Sequence, residues 1–554
     1  MVHFLSAWQR SSVSFFQHQN KIKTVRLLRM EYQDAVHTLN ALQSNNSVLE
    51  QEQQRSDPEM KLNAAKAFLQ RSGLTVEELD CLNAIHVAGT KGKGSTCAFT
   101  ENILRSYGIR TGFYSSPHLV QVRERIRING LPISKELFTK YFWQVYQQLD
   151  ATKEGHEGTM PAYFLFLTIL AFHVFLQEKV DVAVIEVGIG GAYDCTNVIR
   201  RPWVCGISSL GIDHTNLLGD TIEEITRQKA GIFKPGVPAF TVVQPEASMA
   251  VLKERAKETE CPLSVCPDLR EYRVPAGSLR LGLSGQHQRC NASLALQLSS
   301  SWLRHWQQPE KHRPAAESTG LSLAPAFQPT DLMVKGLEDT EWPGRSQILR
   351  HGPVTYFLDG AHTTHSMLAC VRWFREQERI DTGSVVRVLL FNATGERDCA
   401  SLLKPLIDCR FDFAVFCPNI AETIAPHYSD KHGTWTATET MLARCLGNQS
   451  RWRRLSELEE KQGGGLLLEG RLPLLVEQRT HTLVFPCILS ALWWITQGKD
   501  PVLASQGKFF FPVQHSDSAK SAPLRGATKI HILITGSLHL VGGVLKHLDH
   551  SLST

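Results

Sequence analysis

Leu82-Asn-Ala-Ile-His-Val-Ala-Gly89-Thr90-Lys91-Gly92-Lys93-Gly94-Ser95-Thr96 is the stretch on which the reading of this chain turns. An apolar run of strand character enters a seven-residue turn holding three glycines and two lysines. Ala98, Phe99, Ile103 and Leu104 then recur at helical spacing. Strand, glycine turn and helix together cradle phosphate groups, because glycine lets backbone N–H groups close around an anion and the helix N-terminus adds positive dipole. One of the two lysines can reach the β- and γ-phosphates of a nucleotide, and a hydroxyl at Ser95 or Thr96 can meet Mg²⁺. The match to Gly-x-x-x-x-Gly-Lys-Ser/Thr is imperfect, since Gly94 separates Lys93 from Ser95. A glycine turn with no phosphate role is the competing reading.

Outward from this stretch, strand and helix alternate. Apolar strand runs are expected at 83–88, 180–187, 204–210 and 239–243, and the alternation predicts a parallel sheet covered by helices on both faces. Residues 307–330 lose apolar periodicity and collect prolines at 309, 314, 325 and 329, which marks an interdomain linker. A second α/β set follows, with strands expected at 355–358, 385–391, 411–416 and 530–534. Polar, poorly periodic stretches at 419–454 and 497–528 read as loops or insertions. A chain of 554 residues is too long for one core, so the alternation is assigned to two domains.

Composition excludes more than it establishes. A net charge of +5 spread over the whole chain gives no basic footprint for nucleic acid. Thirteen cysteines at irregular spacing, with no Cys-x-x-Cys pair, suit free thiols in a reducing compartment. No apolar run approaches the roughly 20 residues that span a bilayer, so no stable membrane insertion is expected. Residues 1–29 contain five basic residues, four serines and no Asp or Glu, with Phe4, Leu5, Trp8, Phe15 and Phe16 as an apolar side. That pattern is the one expected of a mitochondrial transit peptide. Initiation at Met30 would remove it and leave a cytosolic form.

Glu186 and His214 each close an apolar strand, at the edge where α/β sheets place ligands. A carboxylate at the end of a buried strand is costly unless it is paired or metal-bound. A lone histidine is more often structural than a ligand, and Lys229, near the end of a helical stretch, could be a surface residue. Arg345 follows a rigid Trp-Pro-Gly turn and presents a planar cation suited to phosphate.

Taken together, the motifs resemble the folylpolyglutamate synthases of the Mur ligase superfamily, in their animal form. The resemblance rests on Gly89–Ser95, Tyr114-Ser-Ser116-Pro117-His-Leu, Arg123–Gly130, Val184-Ile-Glu186-Val-Gly188-Ile-Gly190-Gly191, Gly211-Ile-Asp213-His214-Thr215, Lys229-Ala-Gly-Ile-Phe-Lys234, Glu341–Arg345, Leu358-Asp359-Gly-Ala-His362 and Ile534-Thr-Gly-Ser537-Leu. They occur in order over about residues 60 to 545.

The resemblance implies an α/β fold with an N-terminal P-loop Mur-ligase-type ATPase domain over 30–306, the linker 307–330, and a smaller C-terminal Rossmann-like domain over 331–554. It implies an ATP-dependent ligase joining L-glutamate to the γ-carboxylate of reduced folates and folylpolyglutamates through an acyl phosphate. By the same transfer, Gly92, Lys93, Gly94, Ser95, Arg345 and Asp359 bind ATP, and Ser116, Glu186 and His214 hold Mg²⁺. His362 and Ser537 receive glutamate, and Lys93, Lys229, Asp359 and His362 act in catalysis. The transfer also admits a carbamate on Lys229, K⁺ or another monovalent cation as a further cofactor, and a monomeric enzyme. Many bacterial members carry a glutamate where Leu165 stands, so its polar role does not carry over. Rival readings are a Mur-type ligase for another carboxylate, a bifunctional enzyme that also glutamylates dihydropteroate, and, from another class, a P-loop kinase or nucleotide-gated binding protein.

Overall fold

The computed structural model describes residues 31–42, 58–154, 159–274, 279–308, 321–378, 384–394, 398–422, 438–462, 480–506 and 520–552. The acid-free segment 1–29 lies outside the described residues, as do 309–320 of the expected linker and 423–437 and 507–519 of the two polar stretches.

The first sheet comprises β1 (Ile85–Ala88), β2 (Thr111–Tyr114), β3 (Ile126–Ile128), β4 (Leu131–Pro132), β5 (Val182–Glu186), β6 (Val204–Ile207), β7 (Ala239–Thr241), β8 (Leu263–Val265) and β9 (Ser322–Leu323), in the order β4-β3-β2-β5-β1-β6-β7-β8-β9. The second comprises β10 (Gln347–His351), β11 (Val354–Leu358), β12 (Val385–Phe391), β13 (Phe413–Phe416), β14 (His481–Val484) and β15 (Lys529–Thr535), in the order β10-β11-β15-β12-β13-β14. Both are parallel except at one edge, where β2-β3-β4 and β10-β11 form antiparallel pairs. The helices that matter for the site are α1 (Lys93–Ser106), α2 (Tyr163–Gln177), α3 (Ile222–Lys229), α4 (His287–Gln307), α5 (Asp331–Glu338), α6 (Thr364–Glu378), α7 (Thr438–Gln462) and α8 (Leu538–Leu548).

The central strands are apolar on both faces because both faces are covered. Along β5, Val182 and Val184 join the cluster of Phe99 and Ile103 from α1 and Leu298 and Trp302 from α4. Ala183 and Ile185 point the other way, into the cluster of Phe166 and Leu170 from α2. The second sheet repeats the scheme, with Ile532 and Leu533 of β15 on opposite faces. Such strands read as continuous hydrophobic runs, which is why β1, β5, β6, β12 and β15 were visible in sequence. Their carboxyl ends share one edge, and β1 is flanked by β5 and β6.

Two expectations are corrected. The passage between domains lies later than the prolines suggested. Ser322–Leu323 pairs with β8 as the last strand of the first sheet, and Met333 and Leu337 of α5 join the first-domain core. The chain crosses only after α5, and there it is pinned: the Trp342 ring lies 5.1 Å from that of Phe113, and the Arg127 guanidinium sits 4.9 Å above it. The polar stretch 419–454, expected as loop, carries most of α7. Cys445, Asn448 and Trp452 are its buried positions, with Leu455 packed beside them. Their i, i+3, i+7, i+10 spacing is a single narrow stripe on an otherwise polar helix.

Candidate active site

A cavity of about 610 Å³ lies between the two domains at the carboxyl edge of both sheets. Gly92, Lys93, Gly94, Ser95, Ser116, Glu186 and His214 line it from the first domain, and Arg345, Asp359, His362 and Ser537 line it from the second. Of the site residues expected from sequence, Lys229 alone is not in the lining.

The glycine turn joins a strand to a helix, the build its spacing predicts. Gly92, at φ 89°, is the residue before α1, and its backbone is in the region that only glycine enters without strain. The helix starts at Lys93, which places Ser95 in its first turn with Gln288 Nε2 of α4 3.4 Å from its hydroxyl. The Lys93 ammonium donates to the Gly89 carbonyl at 3.1 Å. Lys229, at the end of α3, donates to the same oxygen at 3.1 Å and is 3% exposed. It is therefore no surface residue. Burial, helped by the nearby Lys93 charge, brings its amine down to about 7.

Glu186 ends β5 with 5% exposure, and the backbone N–H of Ser116 donates to its Oε2 at 3.1 Å. Burial raises its carboxyl above the ordinary range, against the pull of Lys93. His214 adopts left-handed backbone and lines the cavity, where burial lowers its pKa against the pull of Asp213. Among the described residues no three Cys, His, Asp or Glu side chains converge as a metal cage. The Glu186 carboxylate and the Ser116 hydroxyl are oxygen donors of the kind Mg²⁺ takes beside waters and phosphate oxygens, while the His214 imidazole is a softer group than that ion ordinarily takes.

In the second domain, Asp359 is held by Ser346, whose N–H and hydroxyl reach Oδ2 at 2.8 and 3.2 Å. Arg345 is close enough to feel Asp359 of its own domain and Glu186 of the other. Ser537 caps α8 by accepting from the His539 N–H at 3.2 Å. His362 Nδ1 lies 2.8 Å from the Gly360 carbonyl, an acceptor, which assigns the proton to Nδ1 and leaves Nε2 as acceptor.

The partner of His362 Nε2 was not foreseen. It is Lys91 Nζ, at 2.9 Å, which also lies 2.9 Å from Asp213 Oδ2. A lysine of the glycine turn thus bridges to the opposite domain. Burial brings its ammonium down to about 8, against the pull of Asp213. Lys91 and Asp213 stood inside motifs, but nothing local in the sequence brings them to His362. His287, Gln288 and Asn291 at the start of α4 also line the cavity and went unassigned, although their spacing places the last two on one helix face. Leu165 packs against the first core, whereas its neighbours Tyr163 and Phe164 face the cavity.

No family model matches the chain. Individual proteins do. The human protein named folylpolyglutamate synthase, mitochondrial, is 56% identical over 550 residues, covering 95% of this chain and 93% of the relative. Its Bos taurus counterpart of the same name is 56% identical over 552 residues, with 95% and 93% covered. Among solved structures, Mycobacterium tuberculosis folylpolyglutamate synthase complexed with ADP superposes with a TM-score of 0.65 at 23% identity, covering 94% of this chain and 99% of that one.

Proposed function

Since the chain belongs to the folylpolyglutamate synthase family, we propose how its own residues divide the work of an ATP-dependent ligase that adds L-glutamate to folates. One observation carries the reading: the phosphate turn and the Arg345, Asp359, His362 and Ser537 set form opposite walls of one cavity.

ATP lies along Gly92, Lys93, Gly94 and Ser95, with Arg345 and Asp359 from the facing wall; the ADP named in the Mycobacterium tuberculosis complex supports this choice of nucleotide. Lys93 leaves the Gly89 carbonyl for the phosphates, and the same oxygen keeps Lys229. Ser116, Glu186 and His214 would hold Mg²⁺, which supplies charge neutralisation at the phosphates when bound. The γ-carboxylate of the folate attacks the γ-phosphorus and ADP leaves, a transfer governed by positioning and charge. The glutamate amine then attacks the acyl carbon, and phosphate departs with the C–O electron pair. The incoming ammonium must lose one proton before attack and one after it. His362 Nε2, its ring held by Gly360, accepts a proton once Lys91 turns away. Ser537 and the start of α8 receive a glutamate carboxylate.

Lys229, whose amine burial brings down to about 7 and so leaves partly neutral near pH 7, is also suited to take up CO₂ as a carbamate. K⁺ or another monovalent cation is a further proposed cofactor. We assign the first domain to 30–338 and the second to 347–554, and propose that the enzyme works as a monomer.

Incubating the protein with MgATP, tetrahydrofolate and labelled glutamate should yield folate one glutamate longer and one ADP per glutamate added. ADP without label in folate, or labelling of another carboxylate only, would reject the reading.

Residues 1–29 are proposed to direct the chain to the mitochondrial matrix, as the names of the human and bovine relatives suggest, and a product begun at Met30 to stay cytosolic. Fluorescent fusions of the two forms should separate accordingly. Identical distributions would refute the assignment.

A further inference from the structure

The loop that follows Ser116 belongs to the first sheet at both ends, between β2 and β3, yet Leu119 and Val120 pack against the core of the second domain. The loop is stiffened from its own side. The Glu124 carboxylate accepts the backbone N–H groups of Leu119, Val120 and Gln121 at 2.9, 2.9 and 2.6 Å. The receiving surface is α8. A Cβ placed on Gly542 would overlap the Leu119 carbonyl oxygen and come within 2.6 Å of its carbonyl carbon. Beside it the Leu119 methyls meet the Gly344 position, within 3.2 and 3.3 Å of a Cβ built there. Glycine inside a helix costs about 1 kcal/mol relative to alanine. Here its bareness admits backbone from the other domain, which cannot turn aside as a side chain could.

Each partner continues into the cavity. Three residues before Leu119, the Ser116 N–H holds Glu186. One turn before Gly542, at the start of α8, Leu538 packs onto Gly360, between Asp359 and His362. We propose that the Gly542–Leu119 contact is a positioning contact that sets the spacing between the phosphate wall and the glutamate wall; this rests on the ligase reading of the cavity. Its failure would slow formation of the acyl phosphate, since Arg345 and Asp359 stand on the displaced wall, and would leave the amine out of reach of what does form, so that water takes it.

The experiment compares ligation and ADP release in the full chain and in Gly542→Ala. An added methyl must push α8 from the loop, and a displacement of about 1 Å can cost roughly 10²-fold in rate. The expected result is a fall of about that size in glutamate addition, with ADP released in excess over product. Rate and ADP-to-product ratio both within threefold of the unaltered enzyme, with unchanged or higher unfolding temperature, would mean that Gly542 serves only its helix and would overturn the proposal. So would a slowed variant in which product still matches ADP. Should Gly542→Ala fail to fold, Leu119→Ala provides the second arm: it removes the side-chain half of the same contact, the methyls that seat against Gly344 and the second-domain core and hold the Leu119 carbonyl on Gly542. It should lose about 10-fold in rate with the same excess of ADP, and unaltered coupling would equally count against the contact. The unaltered enzyme assayed alongside separates the two readings, since absence of product there would remove the ligase assignment itself.

Discussion

Lys93→Ala should lower ligation by about 10³-fold, in line with the loss of one preorganised donor at developing charge, and leave the protein folded. The side chain makes its hydrogen bond to the Gly89 carbonyl, and Lys229 donates to that same oxygen. Removing Lys93 therefore strands no buried acceptor, and it takes nothing from the apolar clusters of the first domain. Thermal unfolding should change by no more than about 1 kcal/mol, because the lost pull on buried Glu186 is offset by relief of the repulsion on Lys229. Calorimetric titration with MgATP should show weakened binding together with the lost turnover. Near-native turnover in this variant would mean that the turn does not serve the triphosphate.

Lys229→Met should cost at least about 100-fold in ligation, as for loss of a positioned catalytic group, while raising the unfolding temperature. A buried lysine whose amine titrates near 7 carries a penalty relative to the unfolded chain, where it titrates near 10.5. Unfolding takes up a proton between those values. The penalty is thus fully present below pH 7 and fades as pH climbs from 7 toward 10.5. Its ceiling at neutral pH is about 5 kcal/mol at 1.36 kcal/mol per pKa unit, and relaxation around the site lowers it. Methionine matches the apolar stem and needs no hydration, so a gain of about 3 °C or more is expected at pH 7, shrinking at pH 9. Scanning calorimetry at both pH values, beside the labelled-glutamate assay, checks it. An unfolding temperature that drops equally at both would show Lys229 to be a structural donor to Gly89.

What the sequence disclosed, and what it withheld, follows from how local each signal is. Gly92 and Lys93 were readable because the turn needs glycine at one fixed offset from a strand end. Glu186 was readable because a carboxylate after Val-Ile has few reasons to be there. The contact of Lys91 with His362 joins residues 271 positions apart and leaves no periodic trace. Nothing in the sequence around Gly542 announces that the Leu119 backbone lies against it. The stripe of α7 was missed because three buried side chains among polar neighbours fall below any composition threshold. The interdomain passage was misplaced since prolines report where helix stops, and β9 needs only two residues in register with β8 to extend the sheet.

Trp342 gives the protein a light signal of its own. Its indole lies on Phe113 under Arg127, and its Nε1 comes within 3.2 Å of where a side chain on Gly94 would begin. Indole emission responds to charge placed close to the ring, so a triphosphate entering the turn should change the emission of this residue, while Trp302 and Trp452, enclosed in their cores, stay constant. Trp342→Phe keeps an aromatic ring at the junction and silences that component alone. Nucleotide arrival could then be timed by stopped-flow in otherwise unlabelled enzyme, apart from the slower appearance of product.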